Sequence, residues 1–184
     1  MPEHVIPWWM GYLLISPIRK LKQNPVSIIS PFIKEGYRVL DVGSSMGYFS
    51  IPMAGMVGIN GKVFCVDAQQ QMLNVLTKRA KKYKVEKIIE QHLCPFDSLN
   101  IGQLAGTIDF ALAFAVVHEV PNKENLFEEV YSSLKPMSKF LFAEPTGHET
   151  LDGFNNSVQI AEKTGFKVIE KLNIYNSYSV LFMK

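Results

Sequence analysis

Residues 39–50 read Val-Leu-Asp-Val-Gly-Ser-Ser-Met-Gly-Tyr-Phe-Ser. A β-branched and apolar run ends in Asp41. A tight turn built on Gly43, Ser44, Ser45 and Gly47 follows at once, and an apolar segment from Tyr48 to Met56 then begins. This is the order strand, sharp turn, helix, which aims backbone N–H groups at a ligand. Glycine serves where a backbone must come close or φ must be positive. Twenty residues past Gly47 a second strand-like run, Lys62-Val-Phe-Cys-Val-Asp67, ends in another acid. An acid in that place can accept hydrogen bonds from a ribose diol.

The dinucleotide fingerprint G-x-G-x-x-G, counted from Gly43, needs glycine at positions occupied by Ser45 and Tyr48. The pattern present is D-x-G-x-x-x-G, with Asp41 in front. It resembles the first motif of class I S-adenosylmethionine (SAM) methyltransferases, usually D-x-G-x-G-x-G, with Ser45 in place of the middle glycine.

Strand and helix signals alternate along the rest of the chain. Helix starts are expected at Ser16-Pro17 and at Asn24-Pro25, the second helix running to Lys34. The spacing predicts strands over 38–42, 62–67, 87–92, 107–115 and 139–143. Helices are expected from Tyr48, over 69–84 with Met72, Leu73, Leu76 and Ala80 on one face, over 124–134, and over 152–164. Two final strands, 166–174 and 178–183, have only a short turn between them. They must therefore be antiparallel neighbours, because a parallel pair needs a crossover. The expected architecture is α/β: a Rossmann-like, doubly wound, mostly parallel sheet with an antiparallel C-terminal strand. That ending is similar to the class I methyltransferase fold, and the resemblance covers about residues 30–184. It implies one SAM-binding domain, residues 31–184, behind an N-terminal lid or helical segment, residues 1–30.

Composition bounds the reading. The chain has 184 residues, 47% of them hydrophobic, and net charge +2, which argues against wholesale nucleic-acid binding. The charge is uneven: residues 1–84 hold 11 Lys/Arg against 4 Asp/Glu, and residues 85–184 hold 8 against 13. The run Lys78-Arg79-Ala-Lys81-Lys82-Tyr-Lys84 reads as a solvated helix end whose cations complement the dipole. Two cysteines, Cys65 and Cys94, make neither a disulfide framework nor a metal cluster. Cytoplasmic localisation and no transmembrane segment are expected.

The methyltransferase resemblance implies SAM as cofactor. Gly43, Ser44, Ser45 and Gly47 would wrap its methionine part, with Asp41 near the amino group. Asp67 would take the ribose hydroxyls, and Ala68 and Met72 would flank the adenine. The loop after the third strand would cap the adenine through Leu93 and Cys94, or through Asp97. Ala113, in the fourth strand, would lie beside the cofactor.

Past that strand comes Val-Val-His118-Glu119-Val-Pro121, where the fold places the methyl acceptor. His118 is a candidate base for an acceptor OH, SH or NH, or a half-buried pocket lining. Glu119, and Glu144 at the end of the fifth strand, complete the candidate catalytic set, with Glu144 expected beside His118. His148 follows closely, but no metal is expected. Relatives that methylate arsenite use several pocket cysteines, a pattern that two cysteines do not supply.

Both tryptophans stand in Ile6-Pro-Trp8-Trp9-Met-Gly-Tyr12-Leu. Trp8, Trp9 and Tyr12 read as substrate-binding residues of a lid, as a segment packed on the core, or as a membrane-surface anchor, given Arg19, Lys20 and Lys22 behind them. The expected function is methyl transfer to a small molecule. The alternatives are an RNA or protein methyltransferase and a non-catalytic SAM-binding module. The oligomeric state is left open.

Overall fold

The structure is a computed structural model that describes residues 8–15 and 17–184. Ser16 of the expected helix start and residues 1–7 of the expected lid lie outside the described residues. The chain divides into two compact units, one ending at Leu93 and one beginning at Cys94.

The first unit begins with a 3-10 turn, Trp8–Met10, and three short helices: α1 (Gly11–Leu14), α2 (Pro17–Lys22) and α3 (Pro25–Ile29). Asn24 caps α3 by accepting the Val26 N–H at 3.0 Å, and Pro25 occupies the first turn, where a missing N–H costs nothing. The helix stops at Ile29, not at Lys34 as expected. Pro31 brings no N–H to continue the ladder.

Three parallel strands come next: β1 (Arg38–Val42), β2 (Lys62–Asp67) and β3 (Ile89–Leu93), in the order β3-β2-β1. Val39, Leu40 and Val63 to Val66 are buried, as befits strands covered on both faces. Helix α4 (Ser50–Val57) links β1 to β2, and Pro52 falls in its first turn. Helix α5 (Gln70–Lys82) links β2 to β3 and buries Met72, Leu73, Leu76 and Ala80, the face read from the periodicity.

The second unit holds β4 (Ile108–Phe114), α6 (Lys123–Ser133), β5 (Leu134–Pro145), α7 (Leu151–Thr164), β6 (Lys167–Lys171) and β7 (Ser177–Met183), with strand order β4-β5-β7-β6. Strand β5 is parallel to β4, and β7 is antiparallel to both β5 and β6. The last strand thus enters between its two predecessors. Strand β5 is longer than expected. Lys135-Pro136 ends the helix, but the chain joins the strand directly, through a register shift between the Ile108–Leu134 and Phe110–Lys139 pairs, with Met137 in the left-handed region at φ 64°. Gly165, at φ 119°, stops α7 in the left-handed conformation that glycine tolerates best. Beneath these strands Phe127, Phe140, Phe142, Phe154, Phe166 and Phe182 form one aromatic core, with ring centroids 4.9 Å apart for Phe142–Phe154 and 5.3 Å for Phe140–Phe166. No helix among the described residues is long and apolar enough to cross a membrane.

Candidate functional site

In the first unit the chain leaves β1 at Val42 and turns at once. Gly43 and Gly47 have φ of 68° and 80°, and Ser45, without glycine's freedom, has φ 49°. A Cβ on Gly47 would meet the Leu76 side chain at 2.3 Å. The turn hangs on β2: the Gly43 and Ser44 N–H groups donate to the Val66 carbonyl at 2.9 and 3.0 Å. Asp67, the acid at the end of β2, accepts the Ser45 N–H at 2.7 Å and the Gln69 N–H at 2.8 Å. Its carboxylate therefore fixes the middle of the turn from outside. Burial pushes its pKa up, and the N–H groups of Gln69, Ser45 and Ala68 oppose that rise. Ser45 also donates its hydroxyl to the Met72 sulfur at 3.4 Å.

Asp41 is 3% exposed and accepts the Ser50 hydroxyl at 2.5 Å. The carboxylate expected near a ligand's amino group thus ties β1 to the first residue of α4. Burial raises its pKa to about 7. The Ser50 hydrogen bond lowers it, and the Asp67 charge raises it further.

Three contributors escaped the sequence reading. Arg79, read as part of a solvated helix end, instead donates to the Met46 carbonyl inside the turn, and burial lowers its pKa. Gly11 of α1 sits so close to the turn that a Cβ there would lie 2.8 Å from the Met72 sulfur and 2.9 Å from the Met46 methyl. His92, near the end of β3, has a buried Nε2 with no hydrogen-bond partner, and the Ser44 hydroxyl shares that condition. Buried polar atoms are rarely left unpaired, because each forfeits its hydration. Two such atoms in the unit that carries the glycine turn fit a ligand that supplies the partners. Nothing in the sequence marks them, since an unpaired atom is a property of the folded surroundings.

Among the other residues expected to hold the cofactor, Ala68 and Cys94 are half-buried, Leu93 is 49% exposed and Asp97 is exposed. Cys94 and Ala113 belong to the second unit, and Ala113 is buried within β4.

In the second unit β4 ends at Phe114, and Ala115 takes a left-handed φ of 61° while donating its N–H to the Ala143 carbonyl at 2.8 Å. A non-glycine residue rarely adopts that conformation, and here it leads into a 3-10 turn, Val117–Glu119. Glu144, 1% exposed, accepts three hydrogen bonds from that turn. Its Oε1 takes the Val117 N–H at 2.7 Å and the His118 N–H at 3.2 Å, and its Oε2 lies 2.6 Å from His118 Nδ1. The carboxylate is the acceptor throughout, so Nδ1 carries the proton and Nε2 of a neutral ring presents its lone pair. Burial pulls the His118 pKa down, but the Glu144 hydrogen bond and the charges of Glu144, Glu119 and Glu149 outweigh it, and the net shift is upward. Glu119 Oε1 is 3.9 Å from Nε2, and the His148 ring centroid is 5.7 Å from that of His118. Among the described residues no group of three or more His, Cys, Asp or Glu is arranged to hold a metal ion.

Residues 33–177 match the family described as "Methyltransferase domain". The chain is 26% identical over 145 residues to an arsenite methyltransferase of Aquipseudomonas alcaligenes, covering 76% of this chain and 42% of that one. It is 27% identical over 141 residues to a demethylmenaquinone methyltransferase of a Geobacillus strain, covering 77% and 58%. The chain thus spans about half the length of these curated relatives. A SAM-dependent methyltransferase from Aquifex aeolicus shares the fold with a TM-score of 0.85 and 23% identity, over 97% of this chain and 99% of that one. With the glycine turn on β1, the acid on β2 and the reversed final strand, these matches have one reading: the chain belongs to the methyltransferase-domain family and carries the SAM-dependent class I methyltransferase fold.

Proposed function

We propose that this chain transfers the methyl group of SAM to a small-molecule acceptor whose accepting atom loses a proton, with His118 as the base. When bound, the cofactor supplies an electrophilic methyl group together with its own leaving group, so the protein's task is to position the acceptor, exclude water and take a proton. The observation that carries the reading is the His118–Glu144 pair. A buried carboxylate within 2.6 Å of Nδ1 orients the ring and leaves Nε2 as the acceptor. Glu144 acts through His118 and is a positioning residue, and Glu119 adds to the field at Nε2.

For the cofactor we assign Gly43, Ser44, Ser45 and Gly47 to its amino-acid end and Asp67 to its ribose. Ala68, Met72, Leu93 and Cys94 are assigned to its base, and Ala113 to its surroundings. The buried, unpaired Ser44 hydroxyl supports this set, and His92 joins it on the same ground. Asp41 supports the turn through Ser50. Residues 31–184 are the catalytic domain in this reading. Residues 1–30 are an accessory segment whose Gly11 rests on Met46 and Met72.

The relatives named above act on arsenite and on demethylmenaquinone. An arsenite-like acceptor calls for several reactive thiolates, and of the two cysteines Cys65 is buried with its thiol pushed well above its usual range, which leaves Cys94 alone. An organic acceptor therefore fits better. The test is release of S-adenosylhomocysteine from SAM in the presence of a panel of phenols, quinols, amines and thiols. Turnover should require a protonated heteroatom or acidic carbon and should rise with pH through the His118 titration. Tight SAM binding with no turnover on any class, and no pocket reactivity, would leave a binding module instead.

A further inference from the structure

We infer that the exposed side of the N-terminal segment is a docking surface for an anionic lipid bilayer. In this segment a glycine, Gly11, makes an inward contact against Met46 and Met72. Large apolar side chains of the same segment stand outside. Trp8 is 41% exposed, Trp9 60%, Tyr12 53%, and Leu21, between Lys20 and Lys22, 87%. A segment whose purpose was to pack on its own core would bury these rings, because each aromatic gains most of its stabilisation from lost water contact. Exposed apolar side chains in such density mark an interaction surface.

Their chemistry selects the partner. Tryptophan and tyrosine favour the boundary between headgroups and acyl chains, and lysines beside them favour anionic headgroups. The charge agrees: from Trp8 to Ser30 the chain carries Arg19, Lys20 and Lys22 and no Asp or Glu. The surface is also held in place. The Arg19 guanidinium lies over the Tyr48 ring at 4.3 Å, and Tyr48 donates its hydroxyl to the Gln23 carbonyl at 2.6 Å, so α2 and the residue that follows it are both fastened to the residue after Gly47. This inference holds whichever molecule accepts the methyl group.

Trp8 and Trp9 are the only tryptophans in the chain. Tryptophan emission, excited where tyrosine does not absorb, therefore reports this segment alone. The full chain is mixed with vesicles of phosphatidylcholine, or of phosphatidylcholine with roughly one-third phosphatidylglycerol. The emission should move to the blue, and the protein should sediment, with the anionic vesicles only. Both effects should fade in high salt. The double variant Lys20→Glu, Lys22→Glu should weaken partitioning roughly 25-fold or more, from about fivefold per lysine removed from such a surface. Leu21→Ser should weaken it less, and both variants should keep the thermal shift given by SAM. Three results would each overturn the inference. They are no sedimentation with anionic vesicles, equal binding to neutral and anionic vesicles at all salt concentrations, and a blue shift that needs no lipid and grows with protein concentration.

Discussion

Up to Leu93 the largest fully buried side chains are Ile29, Leu40, Met46, Met53, Leu73 and Leu76; beyond it they are Phe110, Phe127, Phe140, Phe142 and Phe182, with Ile101. In the first set Met46 and Leu76 lie at the tight backbone turn, where methionine's flexible side chain suits irregular space. In the second set the rings of Phe127, Phe140, Phe142 and Phe182 pack on one another as a rigid platform. The candidate chemistry differs in the same way. The first unit offers backbone geometry: positive φ at Gly43, Ser45 and Gly47, with Asp67 clamping the Ser45 N–H. The second offers one side-chain pair, His118 and Glu144, that depends on the phenylalanine-backed strand β5 to hold the carboxylate. Recognition built on backbone and catalysis built on a side-chain pair should fail separately, and mutations can test that separation.

The largest effect is expected from His118→Ala. Turnover should fall by roughly 10²-fold or more, while SAM affinity measured by calorimetry stays near that of the parent. Comparable losses in both would mean that the two units do not divide the work as stated.

Asp67→Ala should do the reverse. It removes the acceptor of two backbone N–H groups and frees the turn, and should weaken SAM binding by about 10²-fold. Turnover at saturating cofactor should change far less.

Glu144→Gln sharpens the role of the second unit. Glutamine can still accept from the backbone of Val117 and His118, but it removes the charge that raises the His118 pKa. For a base, activity rises as pH rises through its pKa, which here lies above the ordinary histidine value. In the variant that limb should move to lower pH, with maximal turnover reduced about tenfold. A limb that stays in place assigns it to another group.

Ser44→Ala should weaken SAM about fivefold, the effect of one hydrogen bond. Without ligand the variant should be as stable as the parent or more so, because a buried, unpaired hydroxyl has been removed. A lower melting temperature with unchanged affinity would place that hydroxyl in the scaffold.

The smallest effect on activity is expected at Asp41, where the change is in stability alone. Asp41 titrates near pH 4 when unfolded and near pH 7 in the fold. The native state therefore binds the extra proton between these values. The stability this contributes is complete below about pH 4 and is lost as pH rises through 7. Urea midpoints should fall across that window by the equivalent of about 4 kcal/mol, roughly three pH units at about 1.4 kcal/mol each. Asp41→Asn, which can still accept from Ser50, should flatten the fall.

Much of this was legible in the chain. Alternating periodicities gave the element order, Met72, Leu73, Leu76 and Ala80 gave the buried face of α5, and the short link before Ser177 gave the reversed strand. The errors lay where local signals compete. The stretch after Ile29 keeps an apolar pattern but meets Pro31, and Lys135-Pro136 stops a helix without preventing the strand from starting at once. Glu144 was expected beside His118, and the structure brings them to 2.6 Å. Arg79 was misread because its neighbours are exposed lysines, and only the fold shows that its guanidinium reaches the Met46 carbonyl.

By itself, then, the sequence determined the features encoded in spacing along the chain. These are the strand–turn–helix at Asp41 to Gly47, the acid at Asp67, the family and the fold class. They rest on backbone conformations that few residue types permit, so the residue types reveal them. The tertiary structure alone decided which polar atoms are paired and which side chains are left outside. It gave the Asp67 clamp on Ser45, the tautomer of His118 and the unpaired Ser44 hydroxyl and His92 nitrogen. It also set the glycine of α1 inward while Trp8, Trp9 and Tyr12 stayed exposed. Pairing and burial depend on atoms brought together from distant positions, and no single stretch of sequence carries that information.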